Sequence, residues 1–185
     1  MLAWLDIEST GLNPRKDAIL EVGVIVTDDN LTEIWRNSWI SHWHGDRSQL
    51  HPVVQDMHTK SGLFDECAEH PYGLRDVELS IIDSLGEQHK GLVLCGSTIG
   101  FDRSFLAEQM PDLLKCFHYR SIDVSCLTEL ARRWFPDVYA NRPGADESKK
   151  PHRALEDLEF SIACLKYYRM TMFADRATAT ARAVV

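Results

Sequence analysis

Residues 4–12 read Trp-Leu-Asp-Ile-Glu-Ser-Thr-Gly-Leu. The run from Leu2 to Ile7 is apolar and carries an aromatic, and Ser9-Thr10-Gly11 closes it, so it reads as a buried strand that ends in a turn. Asp6 and Glu8 stand two apart in this run. On a strand both side chains therefore leave one face, while Leu5 and Ile7 leave the other. An isolated Asp-x-Glu also fits a solvated pair at a strand end. The apolar setting argues against that, because unpaired carboxylates are costly to bury. Two carboxylates side by side in such a place call for a cation.

Outward from this strand, Ile19 to Thr27 alternates apolar and small residues, and Thr32 to Ile40 carries Ile34, Trp35 and Trp39. With the first run they read as three antiparallel strands of a meander. His51 to Gly62 and Tyr72 to Glu87 read as helices, the second with Val77, Ile81 and Leu85 along one face. Gly91 to Gly96 is a further strand, Asp102 to Met110 a helix stopped by Pro111, Tyr119 to Asp123 a brief strand, and Val124 to Phe135 a helix ended by Pro136. The stretch from Pro136 to Pro151 is rich in Pro, Asp, Asn, Gly and Lys and predicts a mobile loop. His152 to Met172 is the last helix, with Leu155, Leu158, Ile162 and Leu165 on its buried stripe. This order predicts an α/β fold, a mixed five-stranded sheet with flanking helices.

The 185 residues, 44% hydrophobic and 26% charged, are the size and mix of one globular domain. We assign residues 1–172 to it and expect residues 173–185 to form a frayed tail. No basic n-region and no long apolar run precedes Asp6, so neither a signal peptide nor a membrane helix is expected, and the predicted location is cytoplasmic. The five cysteines are scattered, with no Cys-x-x-Cys pair, and read as reduced thiols rather than a disulfide framework or zinc site. The net charge of −8 matters for partners. Proteins that grip long nucleic acids usually present a basic face. An acidic protein can still act on nucleic acid where bound cations supply positive charge locally and the substrate is short.

Three more residues stand out. Asp102, in Gly-Ser-Thr-Ile-Gly-Phe-Asp, follows a strand and opens a helix, where an anion is tolerated; alone it reads as an N-cap. His152 and Asp157, in His-Arg-Ala-Leu-Glu-Asp, begin the last helix. Each alone has an ordinary reading, an exposed loop histidine and a solvated first-turn carboxylate. Together, Asp-x-Glu on the first strand, Asp after a later strand and His-x4-Asp on a C-terminal helix resemble the DEDDh exonuclease superfamily, whose fold is ribonuclease H-like. The chain is similar in particular to oligoribonuclease, through residues 4–12, His58-Thr59-Lys60-Ser61-Gly62-Leu63, Gly96 to Phe105, Met110-Pro111, Phe117-His118-Tyr119-Arg120, Asp123-Val124-Ser125 and Glu129 to Trp134.

That resemblance implies a 3′-to-5′ exoribonuclease that degrades short single-stranded RNA, di- to pentanucleotides, to nucleoside 5′-monophosphates. It implies two Mg²⁺ or Mn²⁺ ions per active site, one held by Asp6, Glu8 and Asp157 and one by Asp6 with Asp102, and His152 as general base. Leu12 matches a leucine that wedges between two bases, and His58 falls among the substrate-binding positions. Thr98, Arg120 and Ser125 match positions that cap a 5′ phosphate. Tyr119 and Arg120 would act across a homodimer interface; a plain core aromatic is the competing reading of Tyr119. Two departures stand out. Ser9 replaces the usual Met, and Val53 stands where an aromatic that stacks on the base is expected, five residues before His58. The rival expectations are a proofreading or repair DNA exonuclease and a non-catalytic ribonuclease H-like binding module.

Overall fold

The structure, a computed structural model, describes residues 1–145 and 152–173. Strands β1 (Leu2–Ser9), β2 (Ile19–Thr27), β3 (Glu33–Ile40), β4 (Leu92–Gly96) and β5 (Phe117–Asp123) form one sheet in the order β3-β2-β1-β4-β5. β2 pairs antiparallel with β1 and β3, whereas β4 pairs parallel with β1 and β5, so the sheet is mixed, as expected. Parallel neighbours need long crossovers. Helices α1 (Pro52–Lys60), α2 (Leu63–Glu69) and α3 (Leu74–Leu85) link β3 to β4, and α4 (Ile99–Gln109) and α5 (Pro111–Leu114) link β4 to β5. Helices α6 (Val124–Trp134), α7 (Pro136–Ala140) and α8 (Ala154–Thr171) follow.

Strand alternation sorts the core into two layers. Ala3, Leu5 and Ile7 of β1 pack with Val77, Ile81 and Leu85 of α3 and with Phe105 and Leu106 of α4. Trp4 faces the other way, onto Val124 and Ala131 of α6 and Leu158, Ile162 and Tyr168 of α8. Asp6 and Glu8 share the parity of Trp4 and so belong to the α8 side. All nine residues of β2 are buried, which fits a near-continuous apolar run covered on both faces. Gly23 lies in register with Asp6. A Cβ there would meet the Ala154 Cβ at 2.8 Å and the Ala154 carbonyl carbon at 3.0 Å, so glycine lets the start of α8 settle directly on the sheet.

Several boundaries differ from expectation. Helix α2 was not anticipated; Gly62, at φ 76°, turns the chain between α1 and α2. Pro111 does not simply stop a helix but opens α5, and Pro136 opens α7 inside the stretch expected to be loop. Proline suits the first helical position, where its missing N–H is not needed. Residues 146–151 of that stretch lie outside the described residues, as does the expected tail apart from Phe173. Asp102 is not an N-cap: α4 begins at Ile99, Thr98 precedes it in a left-handed conformation, and Asp102 occupies the first turn.

Candidate active site

A cleft of about 500 Å³ opens over the end of β1 and is lined by Asp6, Glu8, Asp102, His152 and Asp157, with Leu12 and Thr98 at its walls. All five predicted catalytic positions therefore converge. β1 carries Asp6 and Glu8, the first turn of α8 carries Asp157, and one oxygen from each of the three lies within 4.8 Å of the others. Asp102 approaches from α4, and its Oδ1 accepts a hydrogen bond from the Ile7 amide at 3.0 Å. His152 precedes α8, at φ 52°.

The electrostatics are those of crowded anions. Burial, followed by repulsion from Asp102, Glu8 and Asp157, holds the Asp6 carboxyl well above the usual carboxylate range. Glu8 is pushed up to about 8, chiefly by burial and then by Asp157 and Glu21, with Arg153 pulling the other way. Burial raises Asp102 to about 7 against the opposing hydrogen bond from Ile7. Carboxylates that resist ionising together are stabilised by a cation placed among them. Three converging carboxylate oxygens with no soft donor form a hard set that fits a divalent ion of the magnesium or manganese type.

Two supports lie behind this cluster. His58 is fully buried, and its Nε2 donates to the Ser9 carbonyl at 3.0 Å. Because a carbonyl only accepts, Nε2 carries the proton and the buried Nδ1 is the bare nitrogen, which has no partner. Burial also pushes the His58 pKa down, so at neutral pH its approach to Glu8 at 3.9 Å is not an ion pair. His58 thus sits beneath the end of β1 rather than on the surface of the cleft. The second support is Arg153, bonded to Glu21 and Glu66. Neither Glu21 nor Arg153 emerged from the sequence, although Glu21 is a carboxylate in an apolar strand, the same signal that singled out Asp6 and Glu8.

The expected substrate contacts are distributed unevenly. Leu12 is 83% exposed at the cleft wall, on the turn held by the Thr10–Ala18 hydrogen bonds. Thr98 and Ser125 are joined by Asp123, whose Oδ1 accepts from the Thr98 amide at 2.9 Å, the Ser125 amide at 2.9 Å and the Ser125 hydroxyl at 2.6 Å. Tyr119 and Arg120 lie on the edge strand β5, outside the cleft of their own chain. Tyr119 is 73% exposed, which excludes a core aromatic, and the Arg120 guanidinium lies 5.4 Å from the centre of its ring. Val53 is exposed on α1 and does not line the cleft. Phe101, Phe160 and Arg142 do line it. No local feature of the sequence marks them, since nothing local distinguishes a cleft-facing phenylalanine from a core one.

Residues 3–165 match the RNase_T family, described as Exonuclease. The fold is similar to that of the zinc-bound form of an E. coli exonuclease I complex with single-stranded DNA, at a TM-score of 0.70 and 13% identity. That alignment covers 91% of this chain but 40% of the exonuclease I chain. A second solved structure, exonuclease I from Methylocaldum szegediense, aligns with a TM-score of 0.69 at 19% identity, over 92% of this chain and 40% of that one. This chain therefore spans well under half the length of these solved structures. Fold, family match and carboxylate cluster together define a metal-dependent 3′–5′ exonuclease. Closer relatives narrow the class. The chain is 40% identical to an oligoribonuclease of Mycobacterium sp. (strain KMS), over 93% of this chain and 81% of that protein. It is 40% identical to one from Yersinia pseudotuberculosis (91% and 93% covered) and 41% identical to one from Streptomyces avermitilis (93% and 86% covered). The chain belongs to the oligoribonuclease family.

Proposed function

We propose that this protein is a 3′-to-5′ exoribonuclease that degrades short RNA, of two to about five nucleotides, to nucleoside 5′-monophosphates by two-metal-ion hydrolysis. The observation that carries this reading is the convergence of Asp6, Glu8, Asp102, His152 and Asp157 on one open cleft whose wall also presents Leu12. Asp6, Glu8 and Asp157 would hold one Mg²⁺ or Mn²⁺ ion, and Asp6 with Asp102 the second. When bound, such ions activate water and compensate charge at a phosphodiester. His152 takes the proton from the attacking water at a ring nitrogen. Leu12 supplies an apolar edge for insertion between bases, and Phe101 and Phe160 give the cleft apolar faces.

The restriction to short RNA rests on the rim. Thr98 and Ser125, tied together by Asp123, and the Arg120 guanidinium would meet the 5′ phosphate. In a homodimer, Tyr119 and Arg120 on the exposed edge of β5 reach the neighbouring cleft. A net charge of −8 leaves little to hold a long polyanion. His58 serves through Ser9 and the end of β1 rather than by touching substrate. The proposed location is the cytoplasm; no helix among the described residues is long and apolar enough to cross a membrane.

A length series of 5′-phosphorylated RNA and DNA oligomers with Mg²⁺ or Mn²⁺ tests the reading. Rapid turnover of di- to pentaribonucleotides to 5′-monophosphates is expected. If long DNA is cut while short RNA persists, the protein is instead a DNA exonuclease. If no substrate is cut, it is a binding module.

A further inference from the structure

Arg153 stands between His152 and the first residue of α8. Its guanidinium donates to Glu21 through Nε at 3.0 Å and Nη2 at 3.3 Å, and to Glu66 through Nη1 at 2.8 Å and Nη2 at 3.1 Å. The Glu21 side chain is 2% exposed, and the Oε2 that meets Arg153 Nε also accepts the Ala154 amide at 3.2 Å. Glu21 sits on β2 directly opposite Glu8. One side chain thus fastens β2, α2 and the start of α8 to each other, adjacent in sequence to the general base.

His152 itself occupies a left-handed backbone conformation at φ 52°. L side chains enter that region at a cost and keep it only where the surroundings impose it. Arg153, the next residue, is extended at φ −131° and ψ 136°, and α8 begins immediately after it. The direction of the imidazole therefore depends on where the Arg153 backbone is anchored. A guanidinium suits the task, because its planar fork serves two carboxylates at once with little freedom to swing.

We propose that Arg153 is a positioning residue: its clamp on Glu21 and Glu66 holds the His152–Arg153 backbone so that the imidazole faces the carboxylate cluster. The proposal rests on the reading of His152 as general base. Two lesser roles compete with it. Arg153 could serve only as the counter-charge for buried Glu21, or only tune metal binding at Glu8 through its charge.

The test uses the purified full chain with Mg²⁺ and a 5′-phosphorylated RNA dinucleotide, comparing Arg153→Met, the double variant Arg153→Met/Glu21→Gln, and His152→Ala. The double variant removes both charges but keeps an acceptor for the Ala154 amide, so it carries the test if the single variant fails to fold. Both Arg153 variants are expected to lose about 100-fold in kcat, while KM and the half-saturating Mg²⁺ concentration move by less than about threefold. The double variant is expected to regain the Tm lost in the single one without regaining kcat. Recovery of kcat in the double variant would show that Arg153 is a counter-charge and overturn the proposal. A rise in half-saturating Mg²⁺ that matches the fall in kcat would overturn it in favour of metal tuning. Full activity of His152→Ala sinks the general-base reading instead, whereas inactive His152→Ala beside wild-type kcat in Arg153→Met sinks the clamp alone.

Discussion

The Asp102 carboxylate accepts the amide of Ile7, the residue on β1 between Asp6 and Glu8. One oxygen of this side chain is thus occupied in fixing α4 to the strand that carries Asp6 and Glu8. Structure and charge can be separated at this position. Asp102→Asn keeps an acceptor for Ile7 and removes the charge, so the protein should unfold at nearly its normal Tm yet lose at least about 100-fold in turnover, by analogy with the loss of a single catalytic group. Asp102→Ala also strands a buried amide and should lose a further 1–3 kcal/mol or so of stability. Thermal unfolding and a dinucleotide assay of the pair check this; equal Tm for the two variants would remove the structural half of the argument.

Asp157→Ala is expected to abolish detectable turnover while the far-ultraviolet circular dichroism spectrum stays unchanged. The loss leaves two of the three oxygens that converge within 4.8 Å. It also removes the neighbouring charge that does most, after burial, to lift Glu8, so Glu8 should titrate closer to its ordinary range. Undiminished activity would refute the assignment of Asp157 as a metal ligand.

Stability and metal binding should depend on pH in opposite senses. Glu8 rises from an ordinary 4.5 to about 8 on folding, so across that interval the folded chain keeps a proton that the unfolded chain has released. Stability of the metal-free protein therefore falls as pH rises through this window. Above a pH of about 7, His58, with its lowered pKa, is neutral in both states and drops out of the trend. An ion binds the deprotonated carboxylates, so the rise in Tm on adding Mg²⁺ should be larger near pH 8.5 than near pH 7. Calorimetry with and without Mg²⁺ at the two values decides; an equal shift would contradict it.

Tyr119 is exposed on an edge strand, and its proposed role lies across a subunit boundary. Tyr119→Ala should lower kcat/KM on a dinucleotide by roughly 10-fold, a loss of about 1.4 kcal/mol of transition-state stabilisation, with no change in half-saturating Mg²⁺. Sedimentation equilibrium should show a dimer, and specific activity should fall on dilution below its dissociation range. A fully active monomer would defeat the arrangement.

Val53 occupies the position where an aromatic is expected. Val53→Trp should strengthen binding of the base by about 1–3 kcal/mol, read as a fall in KM. An unchanged KM would mean that the exposed start of α1 lies out of reach of the substrate.

Legibility in the sequence followed the range of the interactions. Asp6 and Glu8 could be read because strand alternation is local and their neighbours are apolar; His152 and Asp157 only because, in order with Asp-x-Glu and Asp102, they complete a pattern that resembles the DEDDh superfamily. Helix α2 could not, since its separation from α1 depends on the left-handed turn at Gly62. Asp123 carries no local mark of its role, and the local mark on Glu21, a carboxylate in an apolar strand, does not name its partner. Asp123 reaches back to the Thr98 amide and Glu21 forward to the Ala154 amide, partnerships that exist only once β4, β5, β2 and α8 have been brought together. His58 was expected among the substrate-binding positions, whereas its ring is buried against the Ser9 carbonyl at the end of β1. Its motif identifies the position, while burial beneath Ser9 is a matter of packing.

The bare hydrogen of Gly23 acts as a spacer of minimum thickness. Asp157 reaches Asp6 and Glu8 from a helix whose height above the sheet is set where Ala154 rests on that residue. A single methyl at position 23 would lift the whole ligand-bearing end of α8, widening the carboxylate triangle without altering any carboxylate. On the proposed assignment of Asp6, Glu8 and Asp157 as metal ligands, the spacing of the three carboxylates would thus depend on a residue that carries no charge.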